Sequence, residues 1–263
     1  MIFRSILTRS YNIAARLLLN KFSPVLYSSK NKKYWNKLKK LYHGQRGFII
    51  CNGPSLQIGD LDKLTNEITI ASNSVYLAFE QTKWRPTFFT VCDDLVAQKI
   101  HKQIHQYIDV VHAPINIGVK FNHCTTYYWK AFKAPRLPPN DKVLFSDNAL
   151  FGFYGGYSVT YQNIQLAFHL GLKQIYLIGC DHNYKGVGES GAVKQITAET
   201  ENHFIKGYRQ KGEIVNAAPI ERMNIAFQHA RKFADNNGIQ IFNATRGGYL
   251  EIFERTSFDK IIS

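Results

Sequence analysis

The sequence predicts one α/β domain with a Rossmann-like, mostly parallel sheet covered by helices on both faces, preceded by a basic helical arm. Three observations lead there. Short apolar runs alternate with helical patterns along most of the chain, the order that builds parallel sheets. Small polar residues follow nearly every one of those runs, where ligands of parallel sheets bind. The chain has 263 residues, 45% of them hydrophobic, enough for one large core with appendages.

The arm comes first. Residues 1–46 hold eleven Lys and Arg and no acid, while the remainder carries 22 basic against 19 acidic residues. The net charge of +14 therefore belongs to the N-terminal segment, and a domain-wide nucleic-acid surface is not indicated. Phe3, Ile6, Leu7, Ile13, Ala14, Leu17 and Leu18 share one face of a helical wheel. Arg4, Ser5, Thr8, Arg9, Asn12 and Arg16 share the other, an amphipathic pattern. Arg9 and Arg16 break it well short of the roughly 20 apolar residues of a membrane span. No cleavage site of a secretory signal follows. A second basic stretch, Lys30–Lys40, lies beyond Pro24. Three readings account for the arm: attachment of residues 1–40 to an anionic membrane surface, a helix packed on the body with a solvated basic face, and a transit peptide. Residues 1–45 are assigned to the arm and 46–263 to the domain.

In the body, Gly47–Cys51, Glu67–Ala71, Pro86–Cys92 and Asp109–His112 are read as strands. Val75–Glu80 and Leu95–Tyr107 are read as helices, and residues 124–130 and 142–146 as short strands around a Pro-rich loop. Ser158–Leu170 is a helix with Gly171 as its C-cap, leading into the central strand Gln174–Cys180. Pro219–Asn236 is the last long helix and Gly238–Phe242 the last strand. Cys51, Cys92, Cys124 and Cys180 form no C-x-x-C pair and read as buried free thiols of a reducing compartment.

The strand ends carry the chemistry. After the first strand, Asn52-Gly53-Pro54-Ser55 offers a sharp turn, backbone N–H groups and two polar side chains to a phosphate ligand. It is neither a Walker loop nor a G-x-G-x-x-G fingerprint, and an ordinary turn has the same composition. Asn73 follows the second strand. Asp93 and Asp94 follow the third and suit a metal or a helix cap. Asp181 and Tyr184 follow the central strand, with Asp181 suited to orient a hydroxyl or a metal-bound water, or simply to form a turn. Ser158 opens the helix before that strand. His203 follows the Gly-bearing polar stretch 183–200, which reads as a lid, and is a candidate general base.

Cys51–Leu56 with Asp60-Leu61, Asn73, Trp84–Thr87 with Asp93, Gly155–Val159, Gly171–Asp181 and Phe242–Glu251 recur in this order in one family. The chain resembles the 6-hydroxymethylpterin diphosphokinase MptE-like family over residues 35–258, with a fold similar to bacterial sialyltransferases that use CMP-sialic acid. The family's namesake activity transfers diphosphate from ATP with magnesium, and many bacterial members look like surface-glycan proteins. The sialyltransferase likeness implies nucleotide contacts from Asn52–Ser55 and Asn73, Asp181 in a Gly-x-Asp turn, Tyr184 on the donor phosphate and His203 as base. Three functions follow as expectations. The first is a glycosyltransferase of surface-glycan assembly at the inner face of the membrane, taking a nucleotide-sugar donor and a glycan acceptor, with no cofactor assigned and magnesium use left open. The second is a pterin diphosphokinase with magnesium on Asp93 and Asp181. The third is a non-catalytic nucleotide-binding scaffold.

Overall fold

The structure is a computed structural model that describes residue 25 and residues 28–132, 144–184, 193–196 and 203–262. The amphipathic pattern of residues 1–24, the Pro-rich loop and most of the expected lid lie outside the described residues.

Eight parallel strands form the main sheet. They are β1 (Arg46–Ile50), β2 (Thr69–Ser72), β3 (Phe88–Thr90), β4 (Val110–Pro114), β5 (Thr125–Trp129), β8 (Gln174–Ile178), β11 (Gln240–Asn243) and β12 (Glu254–Arg255). Their order is β12-β11-β8-β1-β2-β3-β4-β5. The chain thus builds outward from β1 to β5, then returns to the other side of β1 with β8. The reversal places a switch point between β1 and β8, whose register pairs Ile50 with Ile178. Two small pairs stand apart: β6 (Ala131–Phe132) with β7 (Phe153–Tyr154), and β9 (Val193–Gln195) with β10 (Ile214–Asn216).

Side chains alternate across β1 and β8 into two cores. Ile49, Cys51, Ile175 and Leu177 join one, under α4 (Val159–Leu170) and α5 (Ile220–Asn236). Phe48, Ile50, Tyr176 and Ile178 join the other, with α2 (Ile58–Asp62) and α3 (Asp94–Ile100). Burial on both faces is why these strands are apolar throughout. α4 is buried nearly all round, and most of its polar side chains are paired. Gln165 bonds the N–H of Ser146 and of Tyr154, and His169 bonds Trp35 O and Ala149 N. Gly171 ends α4 at φ +86°, as a C-cap glycine does.

The first described helix, α1 (Ser29–Leu38), falls in the stretch read with the arm, and it packs on the body. Asn31 takes the N–H of Tyr128 on edge strand β5 (2.9 Å) and donates to its carbonyl (3.0 Å), as a ninth strand would. Trp35 is fully buried and donates to the same carbonyl. Tyr34 bonds the buried His112, which also bonds Phe89 O. The lysines of Lys30–Lys40 stay exposed.

Three expectations change. Val75–Glu80 is a 3-10 turn over Asn73–Ala78, and the helix expected over Leu95–Tyr107 stops at Ile100 before a second 3-10 turn, Ile104–Gln106. Asn122 N–H donates to His101 O at the break, a long-range contact with no local signal. Residues 144–146 are not a strand; Ser146 N–H is taken by Gln165 instead.

Candidate active site

A cavity of about 420 Å3 opens at the carboxyl ends of β1, β2, β3 and β8, at the switch point. Its lining includes Asn52, Gly53, Asn73, Asp93, Ser158, Asp181, Tyr184 and His203, so the polar strand ends do converge. Pro54 and Ser55 are not part of the lining.

Ser55 has a different position from the one its motif suggests. Its hydroxyl and backbone N–H both donate to Asp181 Oδ2, at 2.8 and 3.3 Å. It fixes the carboxylate from behind the wall. Gly53 is there for the same contact. Its N–H donates to Gly179 O, and a Cβ on it would lie 2.0 Å from Asp181 Oδ2. The loops after β1 and β8 thus interlock, and only glycine fits between them. Burial raises the Asp181 carboxyl above the usual range, against the two bonds from Ser55.

Three buried polar atoms on this wall have no partner: Asn52 Oδ1, Asn73 Oδ1 and His203 Nδ1. Asn52 donates its amide to Ser72 O (3.1 Å), which turns its oxygen the other way. Asn73 sits at φ +59° and bonds the Tyr208 phenol. Tyr157 and His182, also in the lining, have φ of +60° and +55°. Left-handed backbone at non-glycine residues costs energy and tends to gather at functional sites.

A strap from His203 to Ala218 contributes one wall of the cavity. Phe204 N–H donates to Asn52 O, and the His203 ring lies flat on Tyr208, 3.8 Å between centroids. Lys99 of α3 and Arg209 both pair with Glu213, at 3.1 and 2.6 Å. Burial pushes Glu213 up, but these partners outweigh it and hold the carboxyl below its ordinary value. Burial, aided by Arg209, pushes His203 down to about 3, so its ring is neutral at pH 7. Burial raises the Tyr208 phenol to about 12 and pushes Tyr184 up further.

Asp93 is the N-cap of α3. Its Oδ1 accepts from Leu95 and Val96 N–H, and its Oδ2 from Asn216. Ser158 caps α4 in the same way, accepting from Thr160 N–H. The N-terminus of α4 therefore faces the cavity, a favourable place for an anion. Arg209 is the one cation among the described lining residues. Among the described residues no group of three His, Cys, Asp or Glu gathers as a metal site.

Sequence reasoning passed over Tyr157, Gln162, Tyr208, Arg209 and Asn216. Tyr208 and Arg209 follow no strand end, and nothing local marks them. The thiols of Cys51 and Cys180 meet at the site's base. The bond to Cys51 and then burial raise Cys180 well above its ordinary value, so it is no nucleophile.

Among the described residues no helix is long and apolar enough to cross a membrane. No curated protein and no solved structure matches the chain significantly. One family model does match, over residues 25–187, and it spans both loops of the switch point and Asn73, Asp93, Ser158 and Asp181. With more than half of its length matched, the chain belongs to the 6-hydroxymethylpterin diphosphokinase MptE-like family.

Proposed function

We propose that the chain is a nucleotide-dependent transferase, and within that class a glycosyltransferase of surface-glycan assembly using a nucleotide-activated acidic sugar. The unpartnered acceptors Asn52 Oδ1 and Asn73 Oδ1, with the unpartnered ring nitrogen His203 Nδ1 beside them, carry the reading. An unsatisfied buried acceptor costs about 1–3 kcal/mol, which a ligand rich in N–H and O–H donors recovers. Ribose hydroxyls and a base amino group are such donors. The donor's phosphate then lies at the N-terminus of α4, beside the free O–H of Ser158.

Tyr184 donates to the leaving phosphate, because its raised pKa keeps the phenol protonated. Neutral His203 accepts the acceptor's proton. Alone it is a weak base, and an anionic donor beside it raises its basicity. The sparse positive charge of the lining suits a donor with one phosphate better than a bare triphosphate. Exposed lysines on α1 support peripheral attachment of residues 1–40 to an anionic leaflet.

The carboxylates of the lining and the family's description favour a second reading, a pterin diphosphokinase. Asp93 and Asp181 keep lone pairs, and magnesium needs only one or two carboxylates beside substrate phosphates and waters, so the residues fit it. Bound there, the ion neutralises phosphate charge.

Thermal unfolding with CMP, CDP, UDP and ATP, each with and without magnesium, separates the readings. A ligand at 100 times its Kd stabilises by about 2.7 kcal/mol, roughly 5–10 °C for a domain of this size. A CMP shift without metal supports glycosyl transfer. A shift confined to ATP with magnesium supports the diphosphokinase, and no shift with any nucleotide overturns both.

A further inference from the structure

The turn after β11 directs almost all its polar groups inward. Thr245 N–H donates to Asn243 Oδ1 (3.1 Å), and Asn243 donates to Leu250 O (2.8 Å). Cys180 N–H donates to Thr245 Oγ1, and Arg246 grips the buried Asp60 with two bonds of 2.6 and 2.9 Å. Arg255 donates to the carbonyls of Gly247 (2.6 Å) and Gly248 (3.0 Å). Both glycines have positive φ, and a Cβ on Gly248 would lie 2.7 Å from Asp181 O. A turn braced on so many sides holds one geometry.

What it displays is Tyr249. The Tyr249 N–H donates to Asp181 O (2.8 Å), the carbonyl of a cavity-lining residue, while its side chain turns outward. The residue is 69% exposed, more than any other large hydrophobic among the described residues. Its ring does not build the core, and it stands on a rigid mount one backbone hydrogen bond from the cavity-lining Asp181, just outside the lining itself. The turn also lies beyond the stretch matched by the family model.

We propose that Tyr249 is the platform of an acceptor subsite, where a pyranose ring of a glycan stacks and turns a hydroxyl toward the cavity past Asp181. The proposal rests on the glycosyl-transfer reading. An aromatic face is electron-rich and attracts the weakly positive C–H face of a sugar. Tyrosine offers this area at little entropic cost, as in paratopes. A small planar heterocycle is ordinarily enclosed over most of its surface. A platform left this open suits a longer ligand that continues into solvent.

Saturation-transfer NMR with methyl β-galactopyranoside, methyl N-acetyl-β-glucosaminide and lactose tests it, with CMP present and CMP affinity measured by calorimetry on the same samples. The C–H protons of at least one glycoside should saturate with the wild type. Tyr249→Ala should weaken that glycoside roughly two- to tenfold, and Tyr249→Phe should keep it within about twofold. CMP affinity should be equal in all three, because alanine retains the backbone bond to Asp181. No saturation of any glycoside, an unchanged alanine variant, or a variant that loses 6-hydroxymethylpterin instead overturns the proposal. Failure of the wild type to bind CMP is read separately and counts against the glycosyl-transfer reading.

Discussion

Gly53→Ala tests the interlock at the switch point. The new methyl would meet Asp181 Oδ2 at 2.0 Å and Gly179 O at 2.6 Å. The carbonyl is backbone of the β8 turn and yields little, so Asp181 must swing away. It then loses the Ser55 hydroxyl at 2.8 Å and the Ser55 N–H at 3.3 Å. Overpacking costs about 1–3 kcal/mol, and a hydrogen bond to a charged group about 1.5–3 kcal/mol. With both bonds lost the sum is roughly 4–9 kcal/mol, or a fall in Tm of about 10 °C or more for a domain of this size. Gly59→Ala is the control, since a Cβ there meets nothing within 4 Å and alanine favours the helix. Thermal and urea unfolding of both variants measure the difference. A Gly53→Ala protein that unfolds within 2 °C of wild type, by a resolution of about 0.5 kcal/mol per degree or finer, refutes the close-approach argument.

Three further outcomes are expected. His112, buried and bonded to Phe89 O and Tyr34, is pushed down to about 4 by burial, below its unfolded value of 6.5. Its contribution to stability is full above pH 6.5 and is lost as pH falls toward 4, about 2 kcal/mol by pH 5; urea unfolding of His112→Gln should show a loss between pH 7 and pH 5 smaller by that amount. His203→Ala should lower kcat by about 10²–10⁴ with donor affinity nearly unchanged, and wild-type turnover by the variant removes it as the base. Deleting residues 1–24 should abolish salt-sensitive binding to anionic liposomes while the body stays folded, whereas a deletion through α1 should unfold the β5 edge; equal sedimentation of the shorter chain with liposomes counts against the arm.

The central strands were readable because burial on both faces leaves apolar runs that polar punctuation cannot hide. Gly47–Cys51 and Gln174–Cys180 differ from β1 and β8 only at their ends, and Gly171 does cap α4. The two-residue strands β6, β7 and β12 have no period to detect, and their pairing depends on distant residues. The site followed from the same logic. Asn52, Asn73, Asp93 and Asp181 were found because strand ends of a parallel sheet converge. Ser55 was named for its motif, but its direction is set by Asp181 far along the chain. Tyr208 and Arg209 lie on a strap whose own Glu213 ties it to Lys99, and Asn73 holds Tyr208; both anchors are more than 100 residues away in sequence.

The strand order also sets a timetable for synthesis. Among the described residues β1 is the first strand made, and it is the middle of the finished sheet, yet Ser55 and Asp181, which meet across its open side, are 126 residues apart. At about 5–20 residues per second, a nascent chain holds β1 with one edge unpaired for roughly 6–25 s. The half built from β1 to β5 must wait with its apolar edge bare, the state in which ribosome-associated holdases find clients and aggregates begin. The cavity at the switch point comes into being only when β8 docks. A ligand that binds this cavity can therefore draw the final closure forward by mass action, but it has no purchase on anything earlier.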